Sequence, residues 1–191
     1  MEFNPYKCQV IHITRSKTPI PTQYTHNCIL ESVSSAKYLG VDISSDLSWD
    51  THKNRISKKA NNTIGFLRRN INIHSESLKS SAYKVLVRPQ LLYCSTVWCP
   101  FTDSNISKLE AVRRRAARWV KHDYGQTSSV TEMMQSLHWR RLDQWRIDNK
   151  LSLMYKITLN LIDIPISDFL IPLVRLSRHY HLLSYRLITA T

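Results

Sequence analysis

Arginine is concentrated in one short stretch of the sequence, VRRRAARWV at residues 112–120. On a helix, Arg114 and Arg118 share a face and Arg115 is their neighbour. From Val112 through Lys121 there are five basic residues and no acidic one, whereas a solvated helix face normally mixes both signs. Planar guanidinium groups pair well with phosphate oxygens, so the stretch predicts sequence-independent contacts to a nucleic-acid backbone. A solvated face that keeps the protein soluble is the alternative interpretation.

A second basic group follows Trp49, in the segment THKNRISKKANNTIGFLRRN. Apolar residues recur there every three or four positions, which predicts a helix whose basic residues lie largely off the apolar stripe. The two groups together form the predicted nucleic-acid-binding set: Lys53, Arg55, Lys58, Lys59, Arg68, Arg69, Arg113, Arg114, Arg115 and Arg118.

The distribution of charge favours a polyanionic partner. The net charge is +13, and residues 52–160 carry 20 Lys and Arg against 7 Asp and Glu. Residues 1–51 carry 4 against 5, and residues 161–191 carry 3 against 2. Because the positive excess lies in the middle of the chain, we predict that this part binds nucleic acid rather than an anionic membrane or protein surface.

Two features argue against a secreted or membrane protein. The amino-terminal MEFNPYKC lacks the apolar segment of a signal peptide. The longest uncharged run of note, 89–102, has 14 residues and is too short to cross a bilayer. We therefore predict an intracellular protein, in the nucleus or the cytoplasm, with free thiols.

The other residue types do not form a recognisable catalytic or metal site. Asp42, Asp46 and Asp50 are spaced by four, but we place them in a strand, a turn and a helix cap, where that spacing does not gather side chains. A zinc site is a weaker alternative, because its four ligands would lack regular spacing: Cys8, His12, His26 and Cys28. No metal or cofactor is predicted for this chain.

The pattern of the chain predicts an α+β fold, with a small antiparallel β piece followed by a mainly α-helical bundle. Three short β-rich runs, 7–14, 27–33 and 36–43, predict an antiparallel meander. The helices are expected to begin near Asp50 (as the N-cap), Ser75, Asp103, Ser129 and Trp139, with a break in the second at Pro89. We divide the chain into strands at 1–48, helices at 49–160 and a loosely structured tail at 161–191.

Two sets of side chains are expected to face the core. In the second helix they are Leu78, Ala82, Val85, Leu86 and Tyr93. The tryptophans on or near apolar stripes are Trp49, Trp98, Trp139 and Trp145.

Several motifs in succession resemble the C-terminal part of the reverse transcriptase of non-LTR (LINE-type, jockey/CR1-like) retrotransposons. MEFNPYKCQVIHITR is similar to motif D, and SAKYLGVDISSDLSW to motif E, the primer grip. THKNRISKKANNTIGFLRRN resembles the start of the thumb. Three further segments follow in the family's order: YKVLVRPQLLYCSTVWCP, ISKLEAVRRRAARWV and SSVTEMMQSLHWRRL.

The resemblance implies a role for particular residues. Tyr38, Leu39, Gly40 and Val41 would form a tight turn that holds the 3′ end of a primer, and Lys7 would be the motif D lysine that supports the leaving pyrophosphate. The strands would be part of a polymerase palm and the helices a thumb. The implied partner is primer–template or an RNA/DNA hybrid, and Mg²⁺ is expected for the complete polymerase.

The chain departs from the family in one respect that concerns activity. The hairpin with paired aspartates, the nucleotide-binding fingers and the endonuclease are expected upstream of Met1. We therefore predict that this chain is a part of a retrotransposon RNA-directed DNA polymerase, which binds nucleic acid but does not polymerise DNA by itself. A helical module adopted for binding a protein or an RNA is the alternative.

Overall fold

The computed structural model describes residues 4, 8–14, 24, 29–72, 74–100, 102–168, 170–172 and 185–187. Within them the chain forms an α+β fold, as predicted, in which short strand pairs accompany a mostly helical body. Three residues named above lie outside the described part: Lys7, His26 and Cys28.

The described strands form pairs rather than the predicted meander. The first four are β1 (Gln9–Val10), β2 (Glu31–Ser32), β3 (Ser35–Tyr38) and β4 (Val41–Ser44). β1 is parallel to β2, while β3 is antiparallel to β4 with Tyr38 opposite Val41. The prediction of one strand over 36–43 is wrong, because Leu39 and Gly40 reverse the chain within it. Both have positive φ, 45° and 85°, as in the two-residue turns that suit the twist of a hairpin.

The helix α1 (Asp50–Asn70) buries the predicted apolar stripe. Ile56, Ala60, Ile64 and Leu67 are all buried. Asp50 is the first helical residue and not the predicted N-cap, a position held by Trp49 without a side-chain capping bond. An acid in the first turn still stabilises the helix, since it faces the positive end of the helix dipole.

The second predicted helix is broken near Pro89, as expected. It consists of α2 (Glu76–Ala82), a π-helical segment (Tyr83–Val87) and α3 (Arg88–Leu92). Pro89 has no N–H to donate, and in a regular helix its ring would collide with the carbonyl four residues earlier. Here the Arg88 N–H donates to the Tyr83 carbonyl, five residues earlier, which is the π pattern.

The wider π turn changes which side chains face inward. Tyr83, Val87 and Leu91 are buried at intervals of four. The predicted inward set is wrong for four of its members, which are exposed: Leu78, Val85, Leu86 and Tyr93. That prediction assumed 3.6 residues per turn throughout, and the π segment does not follow that period.

The remaining described elements are α4 (Asp103–Lys121), α5 (Val130–Ser136), α6 (Leu142–Thr158), a 3₁₀ turn (Ile166–Asp168), β5 (Leu170–Pro172) and β6 (Tyr185–Leu187). β5 and β6 are antiparallel. His122 ends α4 in the left-handed conformation, with φ of 54°. At the predicted helix start near Ser129, the Ser129 hydroxyl caps α5 by accepting a hydrogen bond from the Glu132 N–H at 3.3 Å.

The core is organised around α1 and α4, which pack against each other. The π segment and α3 pack on α1, while α5 packs on α4 and α6 contacts both α3 and α4. Small, fully buried residues, Ala60 on α1 and Ala116 on α4, allow the two helices to approach closely. Of the predicted core tryptophans, Trp98 and Trp139 are buried, and Trp49 and Trp145 are partly exposed. Among the described helices, none combines the length and apolar character that crossing a membrane requires.

Candidate nucleic-acid interface

The tip of the β3–β4 hairpin presents two large side chains to solvent. Tyr38 is 66% exposed and Leu39 is 73% exposed. Val41, the next residue of the predicted primer grip beyond Gly40, is instead buried in the core. The hairpin is therefore anchored by Val41, and it offers Tyr38 and Leu39 at its free end.

Two hydrogen bonds fix the turn to the helical body. Arg55 Nη2 of α1 donates to the Gly40 carbonyl at 2.7 Å, and the Tyr93 hydroxyl donates to the Leu39 carbonyl at 2.9 Å. A side chain at Gly40 would place its Cβ 3.3 Å from Tyr93 Cε1. The space that glycine leaves open at this turn is thus occupied by the Tyr93 ring.

A buried network holds the hairpin against α1. The Asp42 carboxylate accepts a hydrogen bond from Arg55 Nε, and the Asp42 N–H donates to His52 Nδ1 at 3.2 Å. His52 is 1% exposed, and its ring meets the Trp98 ring edge-on at 4.9 Å between centroids. Burial, together with the positive charge of Arg55, lowers the pKa of His52, while Asp42 acts in the opposite direction. The ring is therefore neutral at pH 7, as an acceptor at Nδ1 must be.

A basic groove runs from the hairpin along α1. It consists of two depressions, with volumes of about 350 and 470 Å³, that share Arg55 and Lys59. We call this surface the α1 groove, and its main lining residues are Lys37, Gly40, Arg55, Lys58, Lys59, Asn62, Phe66, Gln90 and Tyr93. No carboxylate is among the described residues that line either depression. The surface therefore combines four cations with amide and aromatic groups.

Two residues of the predicted binding set are not on the surface. Lys53 is 3% exposed and its ammonium lies 2.8 Å from Asp50, whose pKa is lowered by the hydrogen bond from Lys53. Arg113 is 4% exposed and pairs with Glu110 at 3.0 Å. In each case the acid lies three residues earlier on the same helix, so the charge is paired within the protein, although Arg113 Nη1 has no hydrogen-bond partner among the described residues. Lys53 and Arg113 do not offer free charge to a ligand.

The three arginines of α4 that are not buried contact different neighbours. Arg115 donates to Asn61 and so connects α4 to α1. Arg118 donates to the Gly125 carbonyl at 3.0 Å. Arg114 is exposed beside α5, in a depression of about 330 Å³ that Arg141 also lines. None of the three lines the α1 groove.

Arg68 and Arg69 are exposed at the carboxyl end of α1. The Arg68 guanidinium lies over the Tyr124 ring, 4.9 Å from its centroid. Of the predicted binding set, only Arg55, Lys58 and Lys59 line the groove, together with Gly40 from the predicted primer grip.

The structure adds groove residues that the sequence analysis missed. Lys37, on the hairpin, and Tyr93, in the turn after α3, line the groove. Gln90 donates a hydrogen bond to the Thr63 hydroxyl at 3.0 Å across the groove. Phe66 is 57% exposed on α1. The signal for Phe66 was present in the sequence, because a large aromatic residue lay off the apolar stripe of a predicted helix.

The described residues do not bring three or more His, Cys, Asp or Glu side chains into one potential metal site. The three regularly spaced aspartates have separate partners. Asp42 binds Arg55, Asp50 binds Lys53, and Asp46 accepts hydrogen bonds from the Ser44 hydroxyl and the Ser48 N–H. The zinc alternative depends on His26 and Cys28, which lie outside the described residues.

No protein-family model, curated protein or solved structure matches this chain significantly. The resemblance to retrotransposon reverse transcriptases therefore remains a prediction from the motifs.

Proposed function

We propose that the chain binds nucleic acid along its phosphate backbone through the α1 groove. One observation carries this proposal: the hairpin tip and the basic face of α1 form a continuous surface, because both depressions include Arg55 and Lys59. The groove lysines Lys37, Lys58 and Lys59 have no carboxylate partner among the described residues, so they attract a polyanion. Flexible lysines contact phosphates without reading bases. The exposed Phe66 and Tyr93 add flat surfaces that suit bases or sugars.

The motif resemblance supports a more specific form of the proposal. In that form, the ligand is a primer–template duplex or an RNA/DNA hybrid, with its end at Tyr38 and Leu39 and its flank along α1. Arg55 then has a structural part, since it holds the Gly40 carbonyl and Asp42 while Lys58 and Lys59 contact phosphates. The proposed role is gripping the duplex, as a thumb and primer grip do, without a catalytic step.

The test is the salt dependence of binding to an RNA/DNA hybrid. We expect affinity to fall steeply with salt concentration, because each phosphate contact releases counterions. Replacing Lys58 and Lys59 together by glutamine should lower the slope of log K against log salt by about 1 to 2 units. Lys150→Gln, an exposed lysine on α6 outside the groove, is the matched control and should leave the slope unchanged. Absence of binding at low salt, or equal slopes for both variants, would contradict the proposal.

A second candidate function rests on α6. Ile147, Leu151 and Tyr155 are 48%, 63% and 55% exposed and follow one another at intervals of four, so they form an apolar stripe on one face. Such a stripe favours a protein partner, as in a helical interaction module. Binding to protein through α6 would be insensitive to the Lys58 and Lys59 replacements, which separates it from the first candidate.

A further inference from the structure

A second basic cleft lies away from the α1 groove. It has a volume of about 210 Å³ and lies between the π segment, the start of α3 and the chain entering α6. Its charged and aromatic rim is formed by Lys84, Arg88, His138, Arg140 and Trp145. We call it the Trp145 cleft. It shares no lining residue with the α1 groove.

Trp145 orients two guanidinium groups in this cleft. The Arg88 guanidinium lies 4.8 Å from the Trp145 ring centroid, and that of Arg140 lies 5.1 Å from it. Contact with an aromatic face holds a guanidinium by cation–π attraction. The N–H groups at its edge remain free to donate, and their fork matches the oxygens of a phosphate.

The charges in the cleft are only partly compensated within the protein. Arg140 pairs with Asp148 at 2.7 Å, but both side chains are nearly half exposed, so the pair contributes little stability. Among the described residues, neither Arg88 nor Lys84 has a carboxylate partner. The positive charges of the cleft therefore repel one another unless an anion lies between them.

The inner wall of the cleft includes a buried tyrosine, Tyr83. Tyr83 is 2% exposed, and its ring stacks on Trp139 at 4.0 Å between centroids. Its hydroxyl has no hydrogen-bond partner among the described residues. Burial raises the pKa of Tyr83, so the hydroxyl keeps its proton and stays a donor. The charged groups that act on this hydroxyl most strongly, Arg113 and Glu110, do not line the cleft, so Tyr83 contributes its buried ring to the wall.

We propose that the Trp145 cleft binds the phosphate group of a phosphate ester. Arg88 and Arg140 supply oriented donors, and Lys84 supplies further positive charge. The phosphate has two chemical sources, a terminal monoester, as in a mononucleotide or a 5′-phosphorylated strand, and an internal diester of a strand. The proposal does not depend on the α1 groove, whose test uses other residues and another ligand.

The test is calorimetric titration of the full chain with a nucleoside 5′-monophosphate and with the corresponding nucleoside. We expect the monophosphate to bind and the nucleoside to bind at least tenfold more weakly. Arg88→Gln should weaken monophosphate binding at least tenfold, since it removes the one cleft arginine without a carboxylate partner. Lys150→Gln, which removes an exposed charge outside the cleft, should leave it unchanged. Equal binding of the two compounds, or no binding of either at millimolar concentration, would overturn the proposal.

The source of the phosphate is separated with two single-stranded oligonucleotides, one with a 5′-phosphate and one with a 5′-hydroxyl. Preferential binding of the phosphorylated strand that Arg88→Gln abolishes identifies a terminal monoester. Equal binding of both strands, weakened by Arg88→Gln, identifies an internal diester.

If Arg88→Gln lowers the melting temperature, Arg88→Lys keeps the charge and removes the planar fork. Arg88→Lys should still weaken binding at a temperature where the protein is folded. Unchanged binding by that folded variant would show that the arginine only packs against Trp145, and would also overturn the proposal.

Discussion

At the scale of single residues, the structure requires glycine at position 40 but not at position 65. Gly40 has φ of 85° and lies against the Tyr93 ring, whereas Gly65 lies inside α1, where an added Cβ would meet its nearest atom at an ordinary 3.5 Å. The turn requires glycine because its φ is positive. In the helix glycine lowers stability, because the unfolded chain has more backbone freedom at a glycine and loses it on folding.

We therefore expect Gly40→Ala to lower the free energy of unfolding by about 1–3 kcal/mol. Gly65→Ala, the matched control, should raise it by about 0.5–1 kcal/mol. Urea denaturation of the two variants measures both values. A Gly40→Ala protein as stable as the parent would show that the turn can relax, and the description of a fixed hairpin tip would fail.

Residue type predicted the sign of each charge, but it did not predict burial. Lys53 and Arg113 were placed with the exposed cations, although each follows a carboxylate, Asp50 or Glu110, by three residues. That helical spacing was visible in the sequence and indicates an internal ion pair. The groove residues Lys37 and Tyr93 could not be found in this way, since they reach the groove through tertiary contacts of a hairpin and a turn.

At the scale of elements, we expect the junction between the β3–β4 hairpin and α1 to be sensitive to pH. His52 accepts a hydrogen bond from the Asp42 N–H, and its pKa in the folded protein is lowered. Protonation of the ring removes that acceptor and places a second positive charge beside Arg55. The unfolded chain therefore binds the proton more readily than the folded chain, so His52 contributes stability above its ordinary pKa of about 6.5 and loses it as the pH falls.

We expect the free energy of unfolding to decrease between pH 7 and pH 5, with a contribution from His52 of at most about 1.4 kcal/mol per pH unit. Urea denaturation at several pH values measures this slope. The His52→Gln variant should be less stable at pH 7 and have a flatter profile over the same range. An identical profile for the two proteins would assign the pH dependence to other groups.

Elements with a regular period were predicted correctly, and those without one were not. The stripe of α1 follows 3.6 residues per turn, and its buried residues match the prediction. The strand pattern alone missed the hairpin, because its turn is Leu-Gly and a leucine with positive φ is not a sequence signal for a turn. The motif resemblance, by contrast, implied a tight turn at these residues. The inward face after α2 was missed because nothing in the local sequence indicates that Pro89 is accommodated by a π turn.

At the scale of the whole molecule, the hairpin belongs to the helical core although it precedes the division drawn at residue 49. Val41 is 5% exposed within the core, and the Asp42 contacts to His52 and Arg55 cross that division. By contrast, neither β1 nor β2 contributes a buried side chain. The strands of the first part therefore differ in what they contribute to stability.

Because none of the described residues before Ser34 is buried, we expect a polypeptide that begins at Ser34 to keep the stability of the full chain within about 1 kcal/mol. A polypeptide that begins at Trp49 should lose about 2–5 kcal/mol, because it exposes the site of Val41 and leaves His52 and Arg55 without their partners. Thermal and urea denaturation of the two polypeptides give the comparison. Equal stability of both would mean that the hairpin is a separate unit.

The π-helical segment has a consequence for how changes in chain length would act on this molecule. A π turn holds about one residue more than an α turn, so deleting one residue between 83 and 87 would allow a regular helix that leaves α3 close to its present rotation about the axis. Leu91 would then stay on the buried face, because seven residues span about two α turns. The ring of Pro89 would instead meet the carbonyl four residues earlier, the collision that the π turn avoids.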